Sequence, residues 1–67
     1  MPRKIRELIR DLELAGFVNR GGKGNHRNFV HRSGLVITLS GNPGDDAKPY
    51  QEKTVLERIK DSEDEGK

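Results

Sequence analysis

The sequence predicts a small α+β fold of order α-β-β-β-α, a three-stranded antiparallel sheet with two helices on one face. Three observations predict it. Ile5, Leu8, Ile9 and Leu12 recur at helical spacing near the start of the chain. Three short segments between residues 17 and 39 then alternate or are β-branched, with glycine-containing turns between them. A second, narrower stripe, Val55, Leu56 and Ile59, follows a loop rich in Gly, Pro and Asp. An antiparallel sheet must have one face covered, and two amphipathic helices on the same side do this. The other sheet face is left open.

Each element has a local cause. Ala15 extends the first stripe, Pro2 suits a helix start and Gly16 suits a helix stop. The opposite side of that helix carries Arg3, Arg6 and Arg10. Phe17-Val18-Asn19-Arg20 reads as a short strand and Gly21-Gly22-Lys23-Gly24-Asn25 as a flexible turn. From His26 to His31 the residues alternate, with His26, Asn28 and Val30 on one face and Arg27, Phe29 and His31 on the other. Arg32-Ser33-Gly34 is a tight turn. Leu35 to Leu39 is the clearest strand, with Leu35, Ile37 and Leu39 together on one side. Ser40 to Lys48 reads as a loop, and Pro49 begins a helix expected to fade near Asp61. The acidic run Asp61-Ser62-Glu63-Asp64-Glu65 is expected to belong to a disordered tail, 61–67, behind a single domain, 1–60. The expected core is Ile5, Leu8, Leu12, Phe29, Ile37 and Val55.

Length and composition exclude much else. At 67 residues the chain is too short for a nucleotide-binding α/β enzyme or a barrel, and a single core of this size leaves little spare stability. The absence of Cys excludes a disulfide framework and a Cys-based zinc site. The longest apolar stretch, Leu35 to Leu39 with Thr38 inside it, is far below the roughly 20 residues of a membrane span. Met1-Pro2-Arg3-Lys4-Ile5 contains no signal-peptide apolar region, so a cytoplasmic protein without membrane contact is expected. Charge is uneven. Residues 1–32 carry eight Lys/Arg against three Asp/Glu, a net +5, while residues 33–67 carry five against eight, a net −3. A basic first half suits a polyanion such as nucleic acid, although Lys and Arg also simply solvate small domains.

The most informative segment is Arg20-Gly21-Gly22-Lys23-Gly24-Asn25-His26-Arg27-Asn28-Phe29. It is not a Walker A loop, because no Lys-Ser/Thr pair follows the glycines. It is not a dinucleotide fingerprint, because Arg27 stands where the last Gly belongs. Glycines here let backbone N–H groups approach a phosphate. Arg20, Lys23 and Arg27 supply positive charge, and His26 supplies a group that exchanges protons near neutral pH. Those are the parts for breaking RNA without a metal. A base takes the 2′-OH proton, cations hold the phosphorane charge and an acid protonates the leaving oxygen. The residue types alone leave a second reading open, a solvated His beside a surface turn. On a regular strand Arg27 lies opposite to His26, so it also suits the interior. His31 likewise points away from His26, which argues against a two-His metal site. With no HExxH pattern, no metal is expected. Asp45-Asp46 reads as a solvated pair and Tyr50 as packing at the start of the second helix.

Leu8 to Leu14 followed by Ala15-Gly16-Phe17, then Gly22-Lys23-Gly24-Asn25-His26-Arg27-x-Phe29, then His31 and Gly34 before an apolar strand, resembles the HicA family of toxins. These are the small mRNA interferases of HicA–HicB toxin–antitoxin pairs. The resemblance covers about residues 3–60. It implies a double-stranded-RNA-binding-domain-like (dsRBD-like) fold, a metal-independent endoribonuclease without a cofactor, an mRNA substrate and a HicB-type antitoxin as partner. His26 matches the family's catalytic His, which sits in a Gly-Ser-His segment at the start of the second strand. Arg20, Gly22, Lys23, Gly24, Asn25 and Arg27 are then the expected RNA and phosphate contacts. Asn25 stands where the family usually has Ser, Arg32 where a Pro often follows the second His, and the Ser40–Pro49 loop is longer than in the shortest members. Two other readings compete. One is a non-catalytic dsRBD-like RNA-binding module, which would want a Lys cluster at the second helix; there Glu52, Asp45 and Asp46 dilute Lys48 and Lys53. The other is a subunit that binds only a protein partner, which leaves the basic glycine turn unexplained.

Overall fold

The computed structural model describes residues 3–65. Its elements are α1 (Ile5–Leu14), β1 (Val18–Gly21), β2 (His26–Val30), β3 (Val36–Ser40) and α2 (Pro49–Glu65). The strands form one antiparallel sheet in the order β1-β2-β3, so the expected α-β-β-β-α, dsRBD-like layout is the observed one.

α1 forms because Ile5, Leu8 and Leu12 fall on one buried stripe. Its four leading amides all find acceptors, which is unusual for a helix start. Lys4 N–H donates to the Glu7 carboxylate at 2.7 Å, and Glu7 N–H donates to the Lys4 carbonyl. Ile5 N–H donates to the Asp45 carbonyl (2.9 Å) and Arg6 N–H to that of Pro43 (3.0 Å). The long loop after β3 is therefore the cap of α1. A Lys4–Asp46 ion pair and a hydrogen bond from Ala47 N–H to the Arg3 carbonyl fasten it further, and Ala47 is buried. Arg3 itself is paired with Asp11 at 2.6 Å, and that carboxylate raises the guanidinium pKa above its ordinary value.

α1 stops at a Schellman turn. Gly16 N–H donates to the Glu13 carbonyl and Phe17 N–H to that of Leu12, with Gly16 at φ +97. Phe17 joins Leu12 in the core. It thus ends the helix instead of opening the first strand, which starts one residue later than the sequence suggests.

In the sheet, Val18 pairs with Val30, and the register slips between Asn19 and Gly21, leaving Arg20 in a bulge. β2 pairs with β3 from His26↔Ser40 to Val30↔Val36. Phe29, Ile37 and Leu39 point under the helices into one cluster with Ile5, Leu8, Leu12, Phe17, Ala47 and Val55. His26, Asn28, Val36 and Thr38 lie exposed on the open face. His31 has left the ladder and is buried against Phe17, with ring centroids 5.0 Å apart. Its Nδ1 accepts from Ser33 N–H at 3.1 Å and lies 2.8 Å from Ser33 Oγ, so the neutral ring carries its proton on Nε2.

α2 begins at Pro49 as expected but continues through Glu65, past the expected fade near Asp61. Within the acidic run Ser62 is buried and returns its hydroxyl to the Ile59 carbonyl at 2.7 Å. The remainder of the expected tail, residues 66 and 67, lies outside the described residues. Val55 faces the core and Ile59 packs at its border, whereas Leu56 is 60% exposed, so the apolar stripe is narrower than it reads. Tyr50 is exposed. Arg58 Nε and Gln51 Nε2 donate to the Val36 and Ser40 carbonyls of edge strand β3. Among the described residues, no helix is long and apolar enough to cross a membrane.

Candidate active site

The β1–β2 turn is shaped by one close approach. A Cβ on Gly22 would lie 2.3 Å from the His26 carbonyl oxygen, a distance only the missing side chain permits. His26 N–H donates back to the Lys23 carbonyl at 3.0 Å, and Asn19 Oδ1 accepts from Gly21 N–H at 2.7 Å. On the other side, Gly41 N–H donates to the Asn25 carbonyl at 3.1 Å and prolongs the β2–β3 ladder. Gly22→Ala is therefore expected to force the turn open, at a cost of about 1–3 kcal/mol. Thermal unfolding checks this. Gly44→Ala, where an added Cβ meets nothing within 4 Å, is the control and should melt close to wild type.

His26 faces a cleft of about 340 Å³. It is lined by Asn25 and His26, by Ile5 of α1, by Ser40 and Gly41 at the end of β3 and, as its far wall along the chain, by Asp45, Asp46, Lys48 and Gln51. Most of these polar groups are committed. Asp46 pairs with Lys4, and Asp45 Oδ2 accepts from Asn42 N–H at 3.0 Å. Gln51, only 6% exposed, donates through Nε2 to the Ser40 carbonyl (2.9 Å) and accepts from Lys48 N–H (2.8 Å). The His26 side chain is exposed and has no hydrogen-bond partner among the described residues, and His26 is one of the residues that line the cleft. An imidazole free on a polar cleft wall can exchange a proton with a bound molecule. Although Asp45 and Asp46 share the cleft, no group of three or more His, Asp or Glu that could hold an ion occurs among the described residues.

The residues singled out in the sequence are only partly brought together. Asn25 and His26 line the cleft. Arg20, Gly22, Lys23 and Gly24 are exposed along the turn beside it and do not line it. Arg27 turns to the helix side, where Nη1 donates to the Gly41 carbonyl at 2.9 Å and braces the loop after β3. Seven lining residues escape a sequence reading of the site: Ile5, Ser40, Gly41, Asp45, Asp46, Lys48 and Gln51. They lie far from His26 along the chain, and only the fold brings them to it.

A family model described as the HicA toxin of bacterial toxin–antitoxin matches residues 5–61, from the first residue of α1 into the last turns of α2. That span contains the glycine turn and the whole cleft. No curated protein matches the chain. With the fold and most of its length matched, the chain belongs to the HicA toxin family and is the toxin half of a toxin–antitoxin pair, which implies a cognate antitoxin.

Proposed function

We propose that this toxin is a metal-independent endoribonuclease that cuts mRNA in the cytoplasm, with His26 as its acid–base residue. The observation that carries the reading is the exposed, unpartnered His26 in a polar cleft beside a cationic glycine turn. His26 takes the proton of a ribose 2′-OH, and the oxygen attacks the adjacent phosphorus in line. The bond to the 5′-oxygen breaks as that oxygen gains a proton, leaving a 2′,3′-cyclic phosphate and a 5′-OH. Arg20 and Lys23, exposed along the turn, meet the RNA backbone outside the cleft. Gly22, Gly24 and Asn25 keep the turn low enough for a strand to pass, and Arg27 contributes by holding the loop. A HicB-type antitoxin neutralises the toxin by covering His26 and this basic rim.

The experiment is incubation with labelled single-stranded RNA in EDTA, followed by analysis of fragment ends. Cyclic phosphate and 5′-OH ends are expected, and a substrate with 2′-deoxyribose at the cut position should resist. Fragments from the deoxy substrate would overturn the mechanism. Intact RNA bound in a salt-sensitive manner would favour a non-catalytic RNA-binding module.

A further inference from the structure

We propose that Lys48, at the start of α2, is the cation that holds the scissile phosphodiester of the RNA in the cleft of His26. The proposal rests on the endoribonuclease reading and names a residue for a task that reading leaves open. In-line attack builds negative charge on the phosphorane oxygens, and a cation counts most where that charge develops.

Among the described Lys and Arg residues, Lys48 alone lines this cleft. Arg20 and Lys23 stand outside it, and Arg27, which does not line it, is engaged with the carbonyl of Gly41 behind its lining. Neither of the cleft's two carboxylates forms an ion pair with Lys48, although Asp45 keeps its charge. Asp46 is paired with Lys4, Asp45 holds the Asn42 amide, and among the described residues Lys48 forms no ion pair.

The backbone of Lys48 is also fixed relative to His26. Its N–H donates to Gln51 Oε1, and its carbonyl accepts from Gln51 N–H at 2.9 Å. The buried Gln51 amide then donates to the Ser40 carbonyl, and Ser40 is the residue paired with His26 across the sheet. Gln51 is thus a positioning residue that ties the first turn of α2 to the strand pair carrying His26. The side chain of Lys48 takes no part in these bonds, so its removal leaves the scaffold intact. An ammonium on a flexible stem can follow a phosphate as its geometry changes, as a point charge without a fixed fork.

The test compares Lys48→Gln and Lys48→Arg with Arg20→Gln and Lys23→Gln, each verified as folded by circular dichroism. Cleavage of a short labelled single-stranded RNA is measured, and its binding is measured in a His26→Ala background at several salt concentrations. Lys48→Gln is expected to lower kcat by about 10- to 100-fold, and Lys48→Arg to restore most of it. The slope of log affinity against log salt should fall by about 0.7 for the lost contact. The two turn variants should lower affinity with less effect on kcat. Cleavage by Lys48→Gln at the wild-type rate overturns the proposal. So does a loss of affinity with unchanged kcat, which would place Lys48 on RNA away from the reacting phosphate. Should wild type bind RNA without cutting it, the endoribonuclease reading fails by itself. An unchanged salt slope in Lys48→Gln would then count against Lys48 separately.

Discussion

His26→Gln is expected to lower the rate of RNA cleavage by at least about 100-fold while leaving the protein folded, as removal of a positioned acid–base group does. The amide keeps a polar side chain of similar reach but cannot exchange a proton. His26 has no hydrogen-bond partner within the described residues and is exposed, so nothing in the fold depends on its ring. His31 supplies the contrast within the same strand region. It is buried, packed near Phe17 and bonded to Ser33, so His31→Ala should cost about 1–3 kcal/mol, chiefly by emptying the buried place of its ring. Cleavage rates and urea unfolding, measured on both variants, should separate cleanly into chemistry at His26 and stability at His31. Equal cleavage by His26→Gln and wild type would remove His26 from the mechanism.

The largest loss of stability is expected from Phe29→Ala, about 3–5 kcal/mol. Phe29 is 0% exposed and sits in β2, the central strand, beneath both helices. A domain of this length holds only about 3–10 kcal/mol in total, so the variant should be substantially unfolded at 37 °C. Urea denaturation followed by circular dichroism measures it. Leu56→Ala, at a position 60% exposed on α2, should shift the midpoint little, by about 0.5 kcal/mol or less. Activity lost in Phe29→Ala should track the unfolded fraction, unlike the loss in His26→Gln.

Patterns that repeat within a few residues were legible in the sequence. The Ile5-Leu8-Leu12 stripe, the alternation of β2 and the Pro49 helix start all express short-range sterics and burial, and all are observed. Element ends were less so. Phe17 has the character of a strand residue, but the backbone turn set by Gly16 makes it part of the helix stop. The acidic run after Lys60 contains no apolar residue to signal a helix, yet it continues α2 with Ser62 buried. For the candidate site, the glycine turn and His26 were visible because their chemistry is contiguous. The far wall was not. Lys48 and Gln51 become neighbours of His26 only through the His26↔Ser40 pairing and one buried amide. Arg27 shows the converse, a cation close to the site in sequence whose strand parity directs it to the interior.

The dependence of α1 on the loop after β3 has a consequence for how the toxin is born. A ribosome delivers α1 first, yet the acceptors for its Ile5 and Arg6 amides belong to Asp45 and Pro43. Until those residues emerge, the leading turn of the nascent helix is frayed, and short uncapped helices are marginal in water. The cleft is later still, because its far wall ends at Gln51. A growing chain therefore carries His26 for about 25 further residues, up to Gln51, before it carries the cleft. The hazard arises late in translation, when the antitoxin can meet a folded target.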